Sequence, residues 1–264
     1  EAIDLEVYKY YPPNDYSYLE DRLRDYLGLS SVKVTVANGA SEIISRLPQC
    51  SVPEPNYSEY PRAESYNAEL KDNKWEYELK GNCVITSHPV NPTGACIEKE
   101  EVIRFLSGGG LLVLDESFIE LSSCESYVDL TEKFDNLIVI RSFTKSLALP
   151  GLRLGYAIHK RDWDFLSSLP PWRVNSVAYY VFSNLDYAKV SSFLSESRKV
   201  IEALRKEMSS LFPSLPSDAP YIIIKLKQDS EVVNSRILKK GYYVRDHRGF
   251  LNFPKNWARV AVRH

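Results

Sequence analysis

Residues 142–156 read SFTKSLALPGLRLGY. One ammonium, Lys145, stands there among apolar and hydroxyl-bearing neighbours, just after the apolar run NLIVI (residues 136–140). A second apolar run, LGYAI (residues 154–158), follows. The stretch therefore reads as strand, polar turn, strand, with Lys145 near the first strand's end. A solvated surface lysine needs neither the hydroxyls of Ser142 and Thr144 nor Arg153 eight residues on.

Similar runs lie upstream. VKVTV (residues 32–36) leads into an Asn38-Gly39 turn and a helix start over residues 41–47. CVITS (residues 83–87) leads into the turn HPVNPTG, and LLVL (residues 111–114) ends directly on Asp115. Continuous apolar runs fit strands covered on both faces, hence a mostly parallel sheet with helices outside. Residues 176–211 carry a helical pattern with a break near residues 185–190. After PSLPSDAP, the runs YIIIKL (221–226), GYYVRD (241–246) and ARVAVRH (258–264) read as strands around one helix. The expected architecture is α/β. A large, doubly wound, mostly parallel sheet domain spans residues 27–190, and a small α+β domain spans 191–264 with residues 1–26 associated.

In open α/β sheets, ligands bind beyond the carboxyl ends of the strands. Residues 38–41, Asn91, Asp115, Ser142, Thr144 and Lys145 all stand there. Singly each is ordinary: an aspartate after a strand is a turn former, NPTG is a turn, and SGGG (residues 107–110) lacks the Lys-Ser/Thr of a phosphate loop. In succession their chemistry is complementary. A carboxylate closing a buried strand calls for a cation. A lysine in an apolar pocket is driven toward its neutral, nucleophilic form. Ser142, Thr144, Arg153 and the helix start after Gly39 are phosphate donors. An amine, a phosphate cradle and an acid for a ring cation specify pyridoxal phosphate.

The segments PEPNYSEY, NPTG, LLVLDESF and RSFTKSLALPGLRLGY, in that order, resemble the class I/II aminotransferases of pyridoxal phosphate fold type I. The resemblance covers nearly the whole chain and points to the branch holding histidinol-phosphate aminotransferase and threonine-phosphate decarboxylase. It implies that Lys145 bonds the cofactor aldehyde, Asp115 pairs with the pyridinium nitrogen, Asn91 bonds the ring hydroxyl and Tyr57 stacks on the ring. It implies that Ser142, Thr144, Arg153 and the amides of Ala40 and Ser41 hold the phosphate. Tyr11, in YYPPNDYSYL, resembles a tyrosine that reaches the neighbouring subunit's cofactor, which implies a homodimer. Arg259 matches the arginine that grips the substrate carboxylate, and Arg245 a second anion-binding arginine. Residues 236–264 hold eight Lys/Arg against one acid, Asp246, in keeping with anion recognition.

The resemblance also bears on the reaction. Phe118 stands where the aminotransferase branch usually has a tyrosine, and PPWRVNSVA (residues 170–178) and RVAVR (259–263) look more like the decarboxylase branch. Threonine-phosphate decarboxylase, a cobalamin-pathway activity, is the favoured expectation and histidinol-phosphate aminotransferase the alternative. A cofactor-binding interaction protein without turnover is a third reading. Relative to the family pattern, no Asn-Pro-Gly-like stretch precedes YYPP and no helix follows RVAVR. The substrate pocket is therefore expected to differ more than the cofactor site.

Composition sets the bounds. A length of 264 residues suffices for a large and a small domain around an ample core. A net charge of −2 gives no electrostatic support for nucleic-acid or anionic-membrane binding. No apolar run approaches a membrane span, and GxGxxG and GxxxxGK[ST] follow no strand. Cys50, Cys83, Cys96 and Cys124 form no CxxC pair and are expected as free thiols of a reducing cytosol rather than disulfides or zinc ligands. A cytoplasmic enzyme acting on a small phosphorylated or carboxylated molecule is the expectation.

Overall fold

The computed structural model describes residues 5–263. Strands β1 (Lys33–Asn38), β2 (Cys50–Glu54) and β3 (Arg62–Asn67) are followed by a hairpin, β4 (Glu69–Lys71) and β5 (Lys74–Glu76). Then come β6 (Cys83–Ser87), β7 (Leu111–Asp115), β8 (Leu137–Ser142) and β9 (Leu154–His159). The main sheet has the order β1-β9-β8-β7-β6-β2-β3. β9 runs antiparallel to both its neighbours, and the remaining pairings are parallel. A second, antiparallel sheet has the order β10 (Ser214–Leu215), β11 (Tyr221–Lys225), β12 (Trp257–Ala261). The mostly parallel α/β expectation is met.

Every residue of β8 and β9 is buried, which explains their unbroken apolar reading. Short helices link the strands: α1 (Ser17–Tyr26), α2 (Ala40–Ile44), α3 (Lys99–Ser107), α4 (Phe143–Ser146) and α5 (Asp164–Ser167). The long helical region divides into α6 (Ser176–Asn184) and α7 (Tyr187–Leu211). Asp186 caps α7 by accepting from the Lys189 N–H at 3.1 Å, which fixes the break at residues 185–186. α8 (Ser230–Ile237) completes the C-terminal unit. The N-terminal segment, grouped by the sequence with that unit, lays α1 against β1 and α6. No described helix is long and apolar enough to cross a membrane.

Three readings are corrected. The sequence pattern gave no sign of β2 and β3, because Pro53, Glu54, Arg62 and Glu64 interrupt the apolar signal. Glu54 is nevertheless fully buried, its charge met by Arg62 Nε at 2.7 Å. GYYVRD is not a strand, and only Arg245 makes a bridge, to Arg259. The side-chain amide of Asn234 takes both backbone groups of Val244, at 3.0 and 2.7 Å, in place of a neighbouring strand. The cysteines are not free: Cys50 is bonded to Cys83 and Cys96 to Cys124, with Cα atoms 5.0 and 5.5 Å apart. The partners lie 33 and 28 residues apart, so only the folded topology brings them together, and the argument from free thiols to a reducing compartment lapses.

One close approach fixes the front of the sheet. A Cβ on Gly155 in β9 would overlap the backbone of Gly39 and Ala40, so only glycine lets the start of α2 rest on that strand. Gly155→Ala is expected to destabilise the protein by about 1–3 kcal/mol in denaturant unfolding. Parent-like stability would contradict that packing.

Candidate active site

Register gathers the site. Ser87 pairs with Asp115, Asp115 with Ile140, and Ser142 with Gly155, so the ends of β6, β7 and β8 are level with the start of β9. They open into a cleft of about 380 Å³. Eleven of the twelve residues singled out from sequence line it: Ala40, Ser41, Tyr57, Asn91, Asp115, Ser142, Thr144, Lys145, Arg153, Arg245 and Arg259. Tyr11 does not. It is 81% exposed, with its ring 5.2 Å from that of Trp172 outside the cleft.

Asp115 lies at the floor, 7% exposed. Its Oδ2 accepts from the Tyr60 hydroxyl and its Oδ1 from the Ser117 N–H, both at 2.9 Å, and among the described residues it has no ion-pair partner. Burial raises its pKa above the ordinary carboxylate range, against the pull of these donors. The next residue, Glu116, is treated differently: Arg141 pairs with it at 2.8 Å, both side chains buried. Lys145, on α4, remains open to the cleft. Among the described residues its ammonium makes no hydrogen bond or ion pair, and it lies 5.8 Å from the centre of the Phe118 ring. Partial burial, and then the positive charges of Arg259 and Arg153, lower its pKa, while Asp115 opposes them.

At one end of the cleft the anion donors converge. Ser142 Oγ lies 2.8 Å from Thr144 Oγ1 and accepts from the Thr144 N–H at 3.2 Å, capping α4. The Arg153 backbone is left-handed, φ 58°, and its guanidinium fills the space that a Cβ on Gly39 would need. Ala40 and Ser41 form the first turn of α2, whose N–H groups have no acceptor within the helix. Toward the C-terminal unit, Arg259 donates to Asn91 Oδ1, its guanidinium 5.0 Å from the Tyr221 ring centre. Arg245 faces it across paired backbones, at 3.0 and 2.8 Å, so two cations share one wall. Burial, opposed by Tyr221 and reinforced by Arg245, lowers the pKa of Arg259.

Sequence reasoning missed the groups behind these. The Asn91 N–H donates to Ser87 Oγ at 2.8 Å, and Ser87 Oγ donates to Asn56 Oδ1 at 2.9 Å. Asn56 in turn donates to Thr86 Oγ1 at 2.8 Å, so a buried polar chain ties the NPTG turn to the one carrying Tyr57. Tyr60 stands edge-on to Tyr57, ring centres 5.4 Å apart. Its only sequence signal was its place in PNYSEY.

The profile of the family described as aminotransferase class I and II matches residues 2–264. The chain belongs to this family. Members of the class I and II aminotransferases are enzymes that generally depend on pyridoxal phosphate. An adenosylcobalamin biosynthesis bifunctional protein of Leptospira interrogans is 31% identical, over 96% of this chain and 33% of its own length. The chain thus spans about a third of that relative. Histidinol-phosphate aminotransferase 2 of Archaeoglobus fulgidus is also 31% identical, over 92% of this chain and 78% of that protein. Two solved structures share the aminotransferase fold. Histidinol-phosphate aminotransferase of Clostridium acetobutylicum superposes with a TM-score of 0.85 at 24% identity, covering 97% of this chain and 87% of that one. L-threonine-O-3-phosphate decarboxylase of Porphyromonas gingivalis gives 0.82 at 20% identity, covering 99% and 88%.

The lowered pKa of Lys145 has a measurable consequence. A lysine with a depressed pKa carries more neutral amine at mildly alkaline pH than a solvated one. Trace acetylation of cofactor-free protein, read by peptide mass spectrometry, should modify Lys145 ahead of surface lysines such as Lys240. Equal or slower modification would contradict the electrostatics of the cleft.

Proposed function

We propose that this aminotransferase-family chain is a pyridoxal-phosphate enzyme acting on a small phosphorylated amino acid, and that its reaction is decarboxylation of L-threonine O-3-phosphate. The observation that carries the reading is the Arg245–Arg259 pair in one wall of the cleft that holds Lys145 and Asp115. Two neighbouring arginines suit a substrate with two anionic groups, a carboxylate and a phosphate.

The residues fit the cofactor. Among the described residues Asp115 is a buried acid with no ion-pair partner and Lys145 an amine with no hydrogen bond or ion pair, and Arg153 is a guanidinium beside the N–H groups of the first turn of α2. Lys145 would hold the aldehyde carbon, Asp115 the ring nitrogen, Asn91 the ring hydroxyl and Tyr57 a ring face. Ser142, Thr144, Arg153 and the amides of Ala40 and Ser41 would hold the phosphate. When bound, pyridoxal phosphate supplies an electron sink for the pair left at a substrate α-carbon. The protein's own part is to bind, orient and move protons. Arg259 and Arg245 would hold the substrate's anionic groups, and so would orient the bonds at its α-carbon. Loss of carbon dioxide requires a proton to be returned to the α-carbon, and Lys145 Nζ would deliver it.

Phe118 favours decarboxylation. Its ring adjoins Lys145, and it offers no hydroxyl where the aminotransferase branch usually has one. The relative named for adenosylcobalamin biosynthesis supports the same choice. Histidinol-phosphate aminotransferase is the second reading, supported by the Archaeoglobus relative. Single-turnover assays separate them. With threonine phosphate, decarboxylation yields carbon dioxide and aminopropanol phosphate and leaves the cofactor as the aldehyde. With histidinol phosphate, transamination converts the cofactor to its amine form, restored by 2-oxoglutarate. Arg259→Ala should cost about 2–5 kcal/mol of transition-state binding in either case. Amine-form cofactor from histidinol phosphate, with no carbon dioxide from threonine phosphate, would overturn the first reading. A cofactor spectrum with neither product would indicate a binding protein without turnover.

We also propose a homodimer. Tyr8, Tyr10, Tyr11, Tyr18 and Trp172 leave a large aromatic surface exposed, in keeping with a second copy covering it. Sedimentation should give a dimer, and Tyr11→Phe should weaken cofactor retention without unfolding the chain. A fully active monomer would refute this assembly.

A further inference from the structure

We propose that Tyr60 is a positioning residue for Asp115: its buried hydroxyl holds the carboxylate ionised and in a fixed plane at the cleft floor. Three observations lead there. The Tyr60 hydroxyl donates to Asp115 Oδ2 at 2.9 Å while the Ser117 N–H donates to Oδ1 at 2.9 Å, so both oxygens are engaged and the carboxylate cannot rotate freely. Tyr60 is itself 3% exposed, and burial pushes its own pKa well up, so the hydroxyl keeps its proton. The turn that carries it is clamped from behind. Arg62, ion-paired to buried Glu54 at 2.7 Å, donates to the carbonyls of Tyr57, Ser58 and Tyr60, each at 2.7 Å. One guanidinium therefore fixes both the Tyr57 ring in the cleft wall and the Tyr60 hydroxyl beneath it.

The chemistry explains why such a donor is needed. Burial alone favours the neutral acid at Asp115, and a neutral acid cannot pair with a ring cation. Glu116, adjoining it in sequence, adds to this bias, while Lys145 from α4 is the nearby cation. Tyr57 from the same turn and Tyr221 from β11 also feel the Asp115 charge. The Tyr60 hydroxyl, together with Ser117, stabilises the charged form by donating to it. Any group bound there then meets a carboxylate held in one plane and biased toward its charged form by these donors.

Tyr60→Phe keeps the ring and removes only the donor. In cofactor-free protein carrying ¹³C-labelled aspartate carboxyls, with Asp115 assigned through Asp115→Asn, the variant should raise the Asp115 titration midpoint by about one unit or more. Because Asp115 binds a ring cation only when ionised, its contribution is lost as pH falls through that midpoint. The variant should therefore release pyridoxal phosphate at a higher pH than the parent as the pH is lowered. The second measurement rests on the pyridoxal phosphate reading and the first does not. If the parent takes up no pyridoxal phosphate, that reading fails while the Asp115 titration still decides the role of Tyr60. An unchanged titration, even with lowered thermal stability, would overturn the proposal.

Discussion

Parallel backbone pairing of β6, β7 and β8 is the constraint from which the cleft follows. Strands that run the same way end on the same side, and their register puts Ser87 level with Asp115 and Asp115 level with Ile140. β9 reverses, so its first residues, not its last, reach that side. That reversal brings Arg153 and Gly155 to the edge where β1 ends at Asn38. Gly155 then lets the first turn of α2 rest directly on the sheet. The amine, the acid and the anion donors come from four separated segments, and backbone hydrogen bonding sets them together.

Charge is handled in two ways in this molecule. Away from the cleft, two buried carboxylates are paired: Glu54 with Arg62 and Glu116 with Arg141. Within it, Asp115 and Lys145 have no ion-pair partner among the described residues, and Arg245 and Arg259 stand beside each other. An unpaired buried carboxylate and adjoining cations oppose folding unless something else binds there. The adjoining residues 115 and 116 make the contrast sharp. The same strand end carries one acid paired with an arginine and one that, among the described residues, has no ion-pair partner.

Specific contacts fix the C-terminal unit to the cleft. Tyr221 donates to the carbonyl of Val90 at 3.0 Å, beside the NPTG turn, and Arg259 donates to Asn91. Trp257 of β12 packs edge-on to Trp75 of the β4–β5 hairpin, so the hairpin joins the two sheets through apolar contact. The Cys96–Cys124 bond ties the loop after NPTG to the loop after Asp115 and Phe118. Arg245 and Arg259 are thereby set relative to Lys145 and Asp115.

The sequence by itself determined the central strands and the residues at their ends. Unbroken apolar runs must be buried on both faces, and a polar residue after such a run has only the sheet edge to occupy. Lys145, Asp115 and Asn91 were legible on those grounds, and the order of their motifs identified the family. Tertiary structure alone decided what depends on distant partners. β2 and β3 form despite charged residues because Arg62 meets Glu54 across the pairing. Arg245 reaches the cleft without a strand because Asn234 replaces the missing neighbour. The cysteines pair because the topology closes separations of 33 and 28 residues. Tyr60 was hidden for the same reason: its hydroxyl finds a carboxylate 55 residues away, and no local pattern records a contact at that range.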